Sequence, residues 1–147
     1  MKRSLPKRSN LFLMEMILAI LFFALAGAVC MQLFVKARML SENTSARNQS
    51  LVLAKSAASA FEAGDGNLAT LKKDYPYSRI EDSTLKIFYD GNWKPCEKKD
   101  KIYEMQITIE KQNGNLTTAS IAVTDSRNEE LLRLKADCYQ QIKAVME

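Results

Sequence analysis

The stretch LFLMEMILAILFFALAGAVCMQLFV, Leu11 to Val35, decides how the rest of the chain is read. It carries a single charged residue, Glu15, and no proline. At 1.5 Å of rise per residue the run is long enough to cross a bilayer as a somewhat tilted helix. It is longer than the apolar region of a secretory signal peptide. It also continues beyond Ala26-Gly27-Ala28, a segment with the small-residue character of a signal cleavage site. Lys2, Arg3, Lys7 and Arg8 precede the run, and Lys36 and Arg38 follow it. More positive charge before the span than after it favours a cytoplasmic N-terminus and an external C-terminal part.

Those flanks also account for the net charge of +4. Beyond Arg38 the chain has 15 Lys/Arg against 16 Asp/Glu, close to neutrality. The external part therefore lacks the general positive field of a nucleic-acid binder, and nucleic acid is not an expected direct partner.

Past Val35 the helical pattern continues. Leu40, Leu51, Ala54, Ala58 and Phe61 recur near a 3.6-residue period, with polar residues between them and no Gly or Pro from Met31 to Ala63. Gly64-Asp65-Gly66 is a strong stop. Asn67 is placed to cap a short helix, Leu68 to Asp74, which Tyr75-Pro76 ends. From Thr84 the period changes to two: Leu85, Ile87 and Tyr89; then Tyr103, Met105, Ile107 and Ile109; then Ala119, Ile121 and Val123. Turn signals separate the runs at Asp90-Gly91-Asn92, Asn113-Gly114 and Asp125-Ser126-Arg127-Asn128. Glu129 to Glu147 fits both periods; a strand to about Tyr139 followed by a short helical tail is the preferred reading. The expected fold is α+β: a long N-terminal helix, transmembrane in one half and amphipathic in the other, packed on a small antiparallel β-meander. The expected organisation is a basic leader 1–10, a transmembrane helix 11–35, an amphipathic helix 36–63 and an external domain 64–147.

The sequence has no His, which removes His-based triads and zinc–histidine sites, and it has no Gly-rich phosphate loop and no Cys-x-x-Cys pair. Neither an enzyme nor a cofactor is expected. Cys96 and Cys138 fall in the external part, where an oxidising exterior allows a bridge; two reduced buried thiols is the alternative. Cys30 reads as a small apolar residue of the span. Ala24, Ala26, Gly27 and Ala28 suit close helix packing in lipid as well as ordinary span composition. Trp93 with Lys94, Lys98, Lys99 and Lys101 has the composition of a nucleic-acid contact. Glu97 and Asp100 among them favour a solvated loop instead. Asp65, Asn67, Asp90 and Asn92 are accounted for by turn and cap chemistry without a metal.

Asn10 to Leu18, NLFLMEMIL, resembles the cleavage and methylation segment of type IV prepilins: a short basic leader, a cut, a brief apolar run, then a glutamate inside the apolar helix. The long helix followed by a meander is similar to that family too. The resemblance implies a structural subunit of a bacterial type IV pilus-like or pseudopilus filament, with a role in a pilus, in secretion or in competence. It is held in the bilayer and bound to other pilin-like subunits through the N-terminal helix. A prepilin peptidase would cut between Asn10 and Leu11, and Glu15 would pair with the new N-terminal amine of a neighbouring subunit. At the residue before the cut the family favours Gly, where this chain has Asn10. The alternative is an unprocessed single-pass membrane protein with an external β module for binding or sensing, in which Glu15 is hydrated near the interface.

Overall fold

The computed structural model describes residues 7–140. The secondary structure is a long helix α1, Lys7–Ala63, a short helix α2, Leu68–Asp74, and five strands. These are β1 Arg79–Glu81, β2 Thr84–Tyr89, β3 Tyr103–Asn113, β4 Leu116–Thr124 and β5 Glu130–Tyr139. They form one antiparallel sheet in sequential order, β1-β2-β3-β4-β5. The α+β class with a long helix and a small meander is thus observed. The chain divides into two compact units between Asn43 and Thr44, and α1 contributes to both.

In the first unit, α1 is apolar on every face from Leu11 to Val35 apart from Glu15 and Gln32. Among the described residues one helix, with a span beginning at Asn10, is long and apolar enough to cross a membrane. Each side chain from Leu11 to Val35 is exposed, as in a helix that has lipid rather than protein for a partner.

In the second unit the end of α1 packs on the sheet. Ser50, Ala54, Ala57 and Phe61 are fully buried at spacings of four, three and four, one stripe of an α-helix. Leu53, Ala58 and Ala60 flank it. Ser50 lies in the stripe without a lost hydrogen bond, because its hydroxyl donates to the Arg47 carbonyl (2.9 Å). The stripe differs in phase from the sequence reading: Leu40 is exposed and Leu51 only half-buried. Small residues, Ser50, Ala54 and Ala57, hold the close approach instead of the larger Leu side chains.

The sheet answers with rows of apolar side chains across the strands. Ile80, Leu85, Ile107, Ile121 and Leu134 are successive register partners, and so are Ile87, Met105, Val123 and Leu132. Alternation puts these rows on one face. The other face is polar, laced by Thr84–Thr108, Thr118–Asp137 and Lys135–Glu110 contacts. Leu68 and Leu71 of α2 complete the core, and Asn67 Oδ1 caps α2 by accepting from the Ala69 amide (2.8 Å).

At the end of α1, Gly66 N–H donates to Phe61 C=O and Asp65 N–H to Glu62 C=O, a Schellman termination. Asp65 takes the left-handed residue (φ 55°), and Gly66 follows at φ 72°. A Cβ on Gly66 would sit 3.2 Å from the Thr117 Cβ, so the glycine also lets the turn lie against β4.

Two connections share one hydrogen-bond pattern. Asp90 Oδ1 accepts from the Asn92 and Lys94 amides, and Asp125 Oδ1 from the Arg127 and Glu129 amides. Trp93 and Asn128 hold the equivalent left-handed position, at φ 61° and 60°. Asn is suited to that conformation; Trp is not, and its ring is held by stacking on Tyr103, centroids 3.8 Å apart.

Strand β1 was not foreseen, nor the 3-10 turn at Lys98–Asp100. The expected small meander has five strands. Arg79-Ile80-Glu81 is too short and too exposed to carry an alternation signal; its pairing with Thr84–Lys86 makes it a strand. The preferred strand reading of Glu129 to Tyr139 agrees with β5, while the helical tail expected after it lies outside the described residues.

Candidate functional site

Glu15 sits on α1 beside Leu11, Met14 and Leu18. Four-residue spacing back to Leu11 and three-residue spacing on to Leu18 put these side chains on its own helix face. Among the described residues it has no hydrogen bond or ion pair. A carboxylate in such a run costs a few kcal/mol to bring into lipid, so a favourable partner for its charge has to come from outside the described side chains. The sequence reading starts the helix at Leu11, but the structure carries it back to Lys7, so that Asn10 and Leu11 both lie in helix.

The thiols of Cys96 and Cys138 are not joined. Cys96 and Cys138 are free, as is Cys30, which is exposed on the apolar helix. The register explains why. Cys96 lies beside Phe88, its amide donating to the Phe88 carbonyl, and Phe88 is opposite Glu104, which is opposite Thr124. Cys138 is opposite Thr117, at the other end of β4. Seven residues of strand separate the two ends by on the order of 20 Å, far beyond disulfide reach. The considered bridge is therefore corrected to the alternative of two reduced thiols. Cys138 is buried against the end of α1, its Sγ 3.6 Å from the Glu62 carbonyl, and burial, then the nearby Asp65 and Glu62 carboxylates, raises its pKa. Gln140 Nε2 donates to the Asp65 carbonyl (3.0 Å) beside it. These contacts tie the helix terminus to the edge strand.

No family model, no curated protein and no solved structure matches the chain. Its functional assignment rests on its own residues. Among the described residues there is also no group of three or more His, Cys, Asp or Glu able to hold a metal ion.

The aromatic and lysine residues of the β2–β3 connection are arranged for packing. One face of the Trp93 ring is taken by Tyr103, and Tyr89 approaches at 6.3 Å. Lys99 pairs with Glu97 (3.3 Å). Lys101 pairs with Glu104 and lies over the Phe88 ring, whose burial on the otherwise polar face it helps to complete. A base stacked on that face of Trp93 would have to displace the Tyr103 ring.

Two buried polar groups bear on stability: Glu104, on the face that alternation makes polar, which register places inside, and Tyr89, on the face that alternation makes apolar. Glu104 is the first: burial pushes its pKa up, but hydrogen bonds from Lys101 and Gln106 and the Lys101 and Lys86 charges outweigh burial and leave it lowered. Asp125 is lowered as well, chiefly by the Glu129 amide and against a smaller desolvation cost. A carboxyl with a lowered folded pKa contributes stability above its unfolded value and loses it as pH falls through the folded value. The urea midpoint of the sheet unit is therefore expected to hold near neutrality and to fall progressively in acid, below the ordinary carboxylate range. Glu104→Gln should flatten that fall; an unchanged acid limb would remove Glu104 from the explanation.

Tyr89 is the second. Its ring is 2% exposed, and its hydroxyl has no hydrogen-bond partner among the described residues. Burial, then Tyr75, raises its pKa far above the ordinary phenol value. An unsatisfied buried hydroxyl costs roughly 1–3 kcal/mol, so Tyr89→Phe is expected to be neutral or to stabilise by up to about that amount. Urea unfolding with a midpoint below that of the parent chain would show that the hydroxyl has a partner.

Proposed function

We infer that the chain is a membrane-anchored structural subunit of a type IV pilin-like filament, with α1 as both anchor and assembly element. The observation that carries this is Glu15, the one charged residue in the exposed apolar run Leu11 to Val35 and near its start. A free N-terminal amine at Leu11 of a neighbouring subunit would neutralise Glu15 and fix the axial offset between packed helices, because only one register brings the two charges together in lipid. The basic flank before the run favours a cytoplasmic N-terminus, with the sheet unit external. The sheet unit would then coat the helical core, its role structural rather than catalytic.

A second reading is favoured by Asn10. The family's Gly at this position is missing, and the Asn10–Leu11 bond lies inside α1, so cutting requires local unwinding. Without cleavage, the chain is a single-pass protein whose external sheet unit binds or senses. The mass of the mature N-terminus from the native membrane separates the two. A chain beginning at Leu11, N-methylated or not, supports the filament subunit. A chain that keeps the residues before Leu11 has no amine at that position for Glu15 and sinks that mechanism.

A further inference from the structure

The sheet's two edges are built differently, and a groove opens where one of them is interrupted. On the free side of β2, β1 pairs with Thr84–Lys86, while the following connection returns to pair beside Phe88 and Asp90 through the Cys96 and Lys94 backbones. Between these two covering segments lies a cleft of about 670 Å³, lined by Pro76, Tyr77, Ser78 and Arg79 on one side and Glu97, Lys98 and Lys99 on the other.

The charges in this cleft are unevenly committed. Lys99 is paired with Glu97. Glu81 is hydrogen-bonded by Lys86 and also feels the Lys98 and Arg79 charges, without an ion pair to either. Among the described residues, the Tyr77 hydroxyl, the Arg79 guanidinium and the Lys98 ammonium make no hydrogen bond or ion pair. The Ser78 hydroxyl is buried and spent on the Tyr75 carbonyl, which fixes the wall that carries Tyr77 and Arg79. Three residues with uncommitted donors, two of them cationic, thus line one concave site. A planar guanidinium fork with a point-charge ammonium and a phenol donor suits a tetrahedral oxyanion with several acceptor oxygens. The size is that of a small-ligand pocket. Glu97 in the wall limits the site to a compact anion, since a densely charged polymer passing over it would meet that carboxylate.

We propose that the groove formed by Tyr77, Arg79 and Lys98 binds a phosphate ester group. The inference is independent of filament assembly, because it concerns residues of the sheet unit alone.

The test uses the full chain, isotope-labelled, in dodecyl maltoside micelles, which carry no phosphate. Titration with inorganic phosphate is expected to give saturable amide shifts confined to residues 77–79 and 97–99, with acetate at equal charge giving little. Arg79→Gln with Lys98→Gln should abolish them. Glu97→Gln, which removes the wall carboxylate and releases Lys99, should tighten binding by roughly two- to fivefold. Lys135→Gln, which removes a distant cation paired with Glu110, should leave the affinity unchanged. The amides of Phe88 and Ile121 report that each variant is folded. Free glycerol phosphate and phosphatidylglycerol added to the micelles then distinguish a soluble from a lipid source by which of them moves the same amides. Shifts that do not saturate, that spread to the other lysines, that acetate reproduces, or that survive the double substitution would each overturn the proposal.

Discussion

Glu15→Ala should abolish filament assembly while leaving membrane insertion intact or improved. Removing the carboxylate removes an insertion penalty of a few kcal/mol, so the monomer enters the bilayer at least as readily. What disappears is the charge that selects one helix offset from the many that an all-apolar surface allows. Apolar contact alone gives no such selection in lipid, where tails are as apolar as side chains. Glu15→Gln keeps the shape and some hydrogen bonding but not the charge, and assembly should fail there too. The measurement is the amount of chain in a sheared, sedimentable fraction against the amount in the membrane fraction. Filaments of normal yield from Glu15→Ala would sink the pairing mechanism and shift weight to the single-pass binding or sensing module. The sheet unit should unfold identically in parent and variant, since Glu15 belongs to the other compact unit.

Phe61→Ala is expected to be the most damaging single truncation in the sheet unit, at about 3–5 kcal/mol. The ring is fully buried and lies where the end of α1, the Gly66 turn and β4 come together. Its backbone carbonyl also closes the helix termination, so the cavity opens under the motif that turns the chain towards α2. A unit of this size has on the order of 5–15 kcal/mol in total, so the melting temperature should fall by roughly 15–30 °C. Near-ultraviolet circular dichroism follows the unfolding through the stacked Trp93–Tyr103 pair. Leu40→Ala is the control. The 3.6-residue period groups Leu40 with Phe61, yet Leu40 is 68% exposed, and its loss should change the same transition by less than about 0.5 kcal/mol. Equal effects from the two variants would mean that the buried stripe has been placed wrongly.

The contrast between Leu40 and Phe61 marks the division between what sequence and tertiary structure decide. An uninterrupted apolar run, its ending at Gly64-Asp65-Gly66, the cap at Asn67 and the alternation in β2, β3 and β4 are local properties. They depend on backbone conformation and on periods of 3.6 or 2 within a few neighbouring residues, so they are legible in the chain itself. Glu15 stands out for the same reason, as a charge without apolar justification. The burial of Ser50 and Ala57 in place of Leu40 and Leu51 was decided by the sheet, which admits small side chains where the helix approaches it. The separation of Cys96 from Cys138 was decided by strand register, which places them at opposite ends of β4 although both are cysteines of one small unit. β1, Tyr89's stranded hydroxyl and the cleft beside Arg79 and Lys98 likewise exist only because segments distant in sequence are brought side by side. Local pattern determined the elements and the apolar span; packing and register, which are non-local, decided which side chains are inside and which donors are left unpaired.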